Sequence, residues 1–199
     1  MRLKVYLNFL AHTFLSCSDT YLMIGNLLAD LVKPSEQREL AFAIKQGIDL
    51  HREIDSFTDR HPQSKELKRI LRNSQGKYAA VAVDLVWDYY LSRDWLSYSS
   101  DSLPQFTGAL YPKILSQKDI IPKRIGEQLQ IMIENDFLMA YSSRERMQRS
   151  LSWMDKRASF HSAFINLLDD IDKHDLLFAK MFHSFFPDVQ EFVLEYCRC

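Results

Sequence analysis

The sequence predicts an all-α fold, a single-domain helical bundle over residues 1–199, and three observations predict it. Apolar residues recur at three- and four-residue spacing through long segments, the period of one helix face. Alternating β-branched runs bounded by turn dipeptides, which strands need, are missing. Hydrophobic residues make up 47% and only 5 Gly and 6 Pro interrupt them, far from the composition of a disordered chain.

Each helix has its own start and stop signals. Residues 5–16 form the first, and Ser18 or Asp19 caps a second that runs to about Val32, where Pro34 stops it. Ser35 caps a long third helix, Glu36 to about Asp59, with Leu40, Ala43, Ile44, Ile48, Ile54 and Phe57 inward. Gly47 interrupts it, a loss of helix propensity that only close packing justifies. Pro62 opens a fourth helix that ends near Asn73 to Gly76. A fifth, Lys77 to about Asp94, carries the most hydrophobic stretch, Tyr78 to Val86. Ser97 to Pro104 reads as a polar linker, Pro112 and Pro122 punctuate the rest of the chain, and helices cover 104–115, 122–140, 143–157, 160–172 and 176–197. No repeat or domain-splitting linker is present.

The net charge of -1 gives no general reason to expect nucleic acid or an anionic membrane as partner. No stretch approaches the roughly 20 apolar residues of a membrane-spanning helix. The run Val5 to Leu10 is interrupted by Asn8 and succeeded by His12, so it is not read as a leader. Cys17, Cys197 and Cys199 lack zinc-finger spacing and read as inert thiols in a reducing, cytoplasmic compartment. Nothing in the sequence sets the oligomeric state.

Asp and His inside apolar helices are the informative feature, because an unpaired buried carboxylate is costly and a cation offsets that cost. His12 lies in the first helix and Asp30 ends the apolar run from Ile24. His51 and Asp55, four apart, project from one helix face, and Asp59 extends the row by a turn. Asp84 and Asp88 repeat that spacing in the most apolar helix. Singly, each has a plainer account: a hydrogen-bonded core His12, a local His51–Asp55 bond, Asp84 and Asp88 paired with Arg52 or Arg93. Together they make a mixed nitrogen and oxygen site suited to Mn2+, Fe2+ or Mg2+. His174-Asp175 has the adjacent order seen in helical metal phosphohydrolases, but in a charged segment it reads as a solvated helix end.

Lys65, Lys68, Arg69 and Arg72 share one face of the fourth helix, and Arg144, Arg146, Arg149, Lys156 and Arg157 form a second basic group. Such faces are solvated or dock an acidic partner. There is no phosphate loop, Gly-x-Gly-x-x-Gly, Cys-His pairing or Gly-x-Ser-x-Gly elbow.

Four blocks go further: Asn8-Phe9-Leu10-Ala11-His12; Gly25-Asn26-Leu27-Leu28-Ala29-Asp30; Gly47 through His51-Arg52, Ile54-Asp55, Thr58-Asp59 and Pro62; and Asp84, Trp87-Asp88 through Leu91-Ser92-Arg93 and Trp95. Phe185-Phe186-Pro187 is a weaker echo. In order and spacing the blocks resemble the acyl carrier protein phosphodiesterase family, grouped with the HD-type metal phosphohydrolases. The resemblance implies an all-α fold and Mn2+-dependent removal of 4'-phosphopantetheine from the serine of holo-acyl carrier protein. One departure is Tyr89, where the family commonly has His; a tyrosine cannot replace imidazole as a neutral nitrogen ligand or proton carrier near pH 7.

The expected mechanism divides among these residues. Some of His12, Asp30, His51, Asp55, Asp84 and Asp88 hold the metal that activates a water, Asp59 takes the water's proton, and Arg52 neutralises a phosphate oxygen. Acyl carrier protein, being acidic, docks on Lys65, Lys68, Arg69 and Arg72, and Trp87, Tyr89, Tyr90 and Trp95 wall a channel for its prosthetic arm. The alternatives are a helical phosphohydrolase acting on a nucleotide or other small phosphodiester, and a non-catalytic carrier-protein binder.

Overall fold

The computed structural model describes residues 9–17, 19–158 and 162–198. Among them the regular elements are helices: α1 Phe9–Phe14, α2 Thr20–Leu28, α3 Pro34–Glu39, α4 Phe42–Arg60, α5 Pro62–Gln75, α6 Ala79–Arg93, α7 Leu103–Ser116, α8 Lys123–Glu134, α9 Arg144–Arg157 and α10 Leu167–Cys197. The all-α expectation holds. No described helix is long and apolar enough to cross a membrane.

Local signals explain most boundaries. Asp19 caps α2 by accepting the Leu22 amide, Ser102 caps α7 and Ser143 caps α9. Pro62 occupies the first turn of α5, where the missing amide is no loss. Other boundaries need correction. The long third helix is two, because Leu40 and Ala41 take extended backbone with ψ 152°; the wholly polar α3 stays at the surface while Leu40 turns inward. Its cap position is Lys33, with Pro34 inside the first turn, rather than Ser35. Pro112 lies inside α7 and ends nothing. The last two expected helices are joined into α10 across a kink at His174, whose φ of -121° is not helical. The segment 159–161 and the part of the first expected helix before Phe9 lie outside the described residues.

Cys17 is disulfide-bonded, so the expectation of inert thiols fails there, while Cys197 is free.

The core is aromatic and centred on α10, whose Phe178, Phe182, Phe185 and Phe186 pack with Trp87 and Tyr90 of α6 and Phe14 of α1. The tightest approach lies between α2 and α4. A Cβ on Gly25 would stand 2.0 Å from the Ile44 carbonyl oxygen, and one on Gly47 2.1 Å from that of Leu22. The close packing that Gly47 required is therefore with Gly25. It fixes the register in which α4 presents His51 to the end of α2.

Candidate metal centre

His12 and His51 are both buried, on α1 and α4, and Asn26 of α2 binds both elements. The Asn26 side-chain amide donates to the His12 carbonyl at 2.8 Å and to Ser16 Oγ at 3.1 Å, holding α1. Its backbone carbonyl lies 2.9 Å from His51 Nδ1. A carbonyl only accepts, so Nδ1 carries the hydrogen and Nε2 is left facing the opposite way. Asn26 was not singled out from sequence. The available signal was an amide within the apolar run Met23 to Leu28, which burial obliges to find partners.

His51 Nε2 faces two carboxylates, 3.2 Å from Asp55 and 3.7 Å from Asp30. His12 Nε2 approaches the other oxygen of Asp55 at 3.2 Å, and the two imidazoles stack with centroids 3.9 Å apart. Among the described residues, His12, His51 and Asp55 each aim one ligand atom at a common region, all within 4.8 Å of one another. Neither ring nitrogen of His12 has an aligned hydrogen-bond partner there.

The electrostatics require a positive charge. With its hydrogen on Nδ1, a neutral His51 turns a lone pair toward carboxylate oxygens, an arrangement that only a proton or a cation makes favourable. Burial disfavours the charged form of His51, but Asp55 and Asp30 outweigh it and raise its pKa. Burial and the neighbouring His51 lower that of His12. Burial works to raise that of Asp55, but its contacts with the two histidines hold the carboxyl well below the usual range.

Asp84 is half-buried, borders a crevice and accepts no hydrogen bond among the described residues. Burial, then the charges of Asp55, Asp59, Asp88 and Asp30, push its pKa far up. His12, His51 and Asp55, with Asp30 beside them, offer nitrogen and oxygen donors of the kind that hold a divalent cation.

Not every expected residue joins this cluster. Asp88 is buried and turns to α1, accepting the Ala11 amide at 3.3 Å; burial lifts its pKa to about 7 against the amides of Ala11 and Leu10. It satisfies the open amides of the helix that carries His12, a positioning role rather than that of a ligand. Arg52 is corrected too: it leaves the cluster and donates to Asp49 and Gln37, each at 2.9 Å, on the outer side of α4. Asp59 is exposed one turn beyond Asp55. Arg93, a suggested partner for Asp84 and Asp88, binds Asp94 and Asp175.

Of the four expected channel aromatics, Trp87 lines the crevice. Tyr90 is core, its hydroxyl donating to Asp175, and Trp95 is core, its indole donating to the Asp101 carbonyl. Tyr89 packs edge-on against Tyr90. His174 marks the kink and Asp175 serves Arg93, so that pair contributes no ligand. On α5, Lys65, Arg69 and Arg72 are exposed and Lys68 half-buried, with Arg69 paired to Glu66 at 2.6 Å. In the second basic group Arg144 pairs with Asp172, and Arg146 with Asp136.

The raised pKa of His51 carries a testable sign. Its contribution to metal-free stability is full below the unfolded value of 6.5 and is lost as pH rises through the higher folded value. A divalent cation held at His51 Nε2 would displace that proton, so such binding would strengthen over the same window. The rise in Tm on adding Mn2+ is expected to be larger at pH 8 than at pH 6, approaching about 3 kcal/mol of stabilisation when Mn2+ is roughly a hundredfold above its Kd. Thermal melts at both pH values check this; equal increments would contradict the ligand role of His51.

The acyl carrier protein phosphodiesterase family profile matches residues 7–189. An acyl carrier protein phosphodiesterase of Yersinia enterocolitica is 30% identical over 182 residues, covering 91% of this chain and 94% of the relative. One of Escherichia coli is 29% identical over 186 residues, 93% and 96% of the two chains. One of Photorhabdus laumondii is 28% identical over 186 residues, 93% and 94%. No solved structure matches the chain. With matching that reaches across α1 to α10 and includes every element that carries the cluster, the chain belongs to the acyl carrier protein phosphodiesterase family.

Proposed function

We propose that the protein hydrolyses the phosphodiester joining 4'-phosphopantetheine to the serine of holo-acyl carrier protein, using Mn2+ held by His12, His51, Asp55 and Asp30. Family membership makes the chain a phosphoric diester hydrolase. The observation that carries the metal part is the convergence of His12, His51 and Asp55 within 4.8 Å, with His51 Nε2 turned toward Asp55 and Asp30 by its Nδ1 bond to Asn26.

When bound, such a cation lowers the pKa of coordinated water and offsets phosphoryl charge. The protein's own groups do the rest. An anionic phosphodiester is repelled by the carboxylates of Asp30, Asp55 and Asp59, so the cluster admits it only when that charge is offset. Asp59, exposed to water, is the candidate proton acceptor. Asn26 and Asp88 hold His12 and His51 in place through backbone bonds rather than by touching substrate.

Mass spectrometry of holo-acyl carrier protein incubated with the protein and Mn2+ is expected to show loss of the phosphopantetheine mass; an unchanged spectrum rejects the activity. The Lys65, Lys68, Arg69 and Arg72 face is the proposed dock for the acidic carrier protein. Reversing Lys68 and Arg72 to Glu is expected to raise KM about tenfold at low ionic strength, an effect that shrinks with added salt. An unchanged KM removes the dock from that face.

A further inference from the structure

Asp30 lies outside the regular helices. The α2 helix ends at Leu28, and the turn that follows is closed by the Leu31 and Val32 amides, which donate to the Leu28 carbonyl at 2.8 and 3.0 Å. Leu31 and Val32 are buried, but α3 beyond them is six residues long and buries none of its own. So short a helix, without an apolar face, cannot hold the turn by packing. The far side of Asp30 needs another anchor.

Arg124 supplies it from α8. Buried Ile125, Leu129 and Met132 fix that helix, and its first turn carries Arg124 across to the 31–36 segment. The guanidinium donates to the Leu31 carbonyl at 3.0 Å and to the two carboxylate oxygens of Glu36 at 2.8 and 3.1 Å. Glu36 in turn accepts the Lys33 amide at 2.7 Å. Both ends of the segment are thus drawn onto one planar fork, a geometry that a lysine could not match. Arg124 and the Lys33 amide hold the Glu36 carboxyl down to about 2, so the clamp stays ionised wherever the cluster can take a cation.

We propose that Arg124 and Glu36 are positioning residues for the cation site, fixing the turn after α2 so that Asp30 stands 3.7 Å from His51 Nε2. The inference rests on the proposed ligand set of His12, His51, Asp55 and Asp30. A partly exposed ion pair adds little to global stability. Its loss should therefore show in metal affinity, where the placing of a carboxylate counts, more than in unfolding.

Mn2+ dissociation constants of the full-length protein, read from the electron paramagnetic resonance signal of free Mn2+, test this without turnover. Arg124→Met and Glu36→Gln are each expected to weaken binding about tenfold, the lower end for a group that orients a ligand, while the denaturation midpoint stays close to that of the wild type. The double variant should lose no more than either single one. Arg124→Lys, which reaches one partner at a time, should recover part of the loss. In an Asp30→Ala background, where three donors remain and millimolar Mn2+ keeps binding measurable, Arg124→Met should change affinity by less than about twofold. An unchanged Kd in both single variants, or an equal loss with and without Asp30, overturns the proposal. Wild-type protein that binds no Mn2+ rejects the ligand set and the clamp with it. Mn2+ binding that depends on Arg124 in a protein that leaves holo-acyl carrier protein unconverted supports the clamp and rejects the hydrolysis.

Discussion

His51→Ala is expected to abolish release of phosphopantetheine and, separately, to remove the Mn2+-dependent rise in Tm. The ring orientation of His51 is set by a backbone bond on one nitrogen, and its other nitrogen meets two carboxylates. Loss of a group that merely orients a ligand costs about 10- to 100-fold in metal affinity, so loss of the ligand itself should cost at least about a hundredfold. Asp30→Ala, which removes one of the two facing carboxylates, is expected to act in the same direction. Two readouts keep the result clear: conversion is monitored by mass spectrometry, and metal binding by melts with and without Mn2+. A His51→Ala protein that still gains stability from Mn2+ would falsify the assigned ligand set, whatever its turnover.

Gly47→Ala should unfold or severely weaken the protein although it adds a single methyl group. The new Cβ would stand 2.1 Å from the Leu22 carbonyl oxygen and 2.8 Å from Gly25 Cα, both backbone atoms with no rotamer to escape into. Overpacking of this kind costs about 3 kcal/mol or more, since α2 and α4 must separate along their contact. For a chain of this size the drop in Tm is about 6–12 °C. Gly108→Ala supplies the opposite sign. That glycine lies exposed within α7 with nothing within 4 Å of the added atom, so alanine is expected to stabilise by about 0.5–1 kcal/mol. Chemical denaturation of the two variants side by side reads both effects. Similar small changes in each would mean that the α2–α4 contact is looser than its geometry indicates.

Separation at that contact would also reach the metal cluster. His51 lies one turn beyond Gly47 and takes its orientation from Asn26, the residue after Gly25. A Gly47→Ala protein that remains folded should therefore bind Mn2+ more weakly than its lost stability alone explains, a link between packing and chemistry that the close approach itself creates.

The amino-acid sequence by itself determined the helical class, the caps at Asp19 and Pro62, the need for close packing at Gly47, and the shared face of His51 and Asp55. All of these depend on intervals along one helix or on the chemistry of one residue, and a period of 3.6 residues makes them local. Tertiary structure decided how the helices are phased against one another. It turned Asp88 toward the amides of α1 and Arg52 toward Asp49 and Gln37, and it made Asn26 the bond between α1 and α4. It also took Trp95 and Tyr90 into the core and left Trp87 on the crevice. Spacing along a helix says which side chains point the same way. What they point at depends on the azimuth at which neighbouring helices pack, and here Gly25 and Gly47 set that azimuth by allowing two backbones to touch.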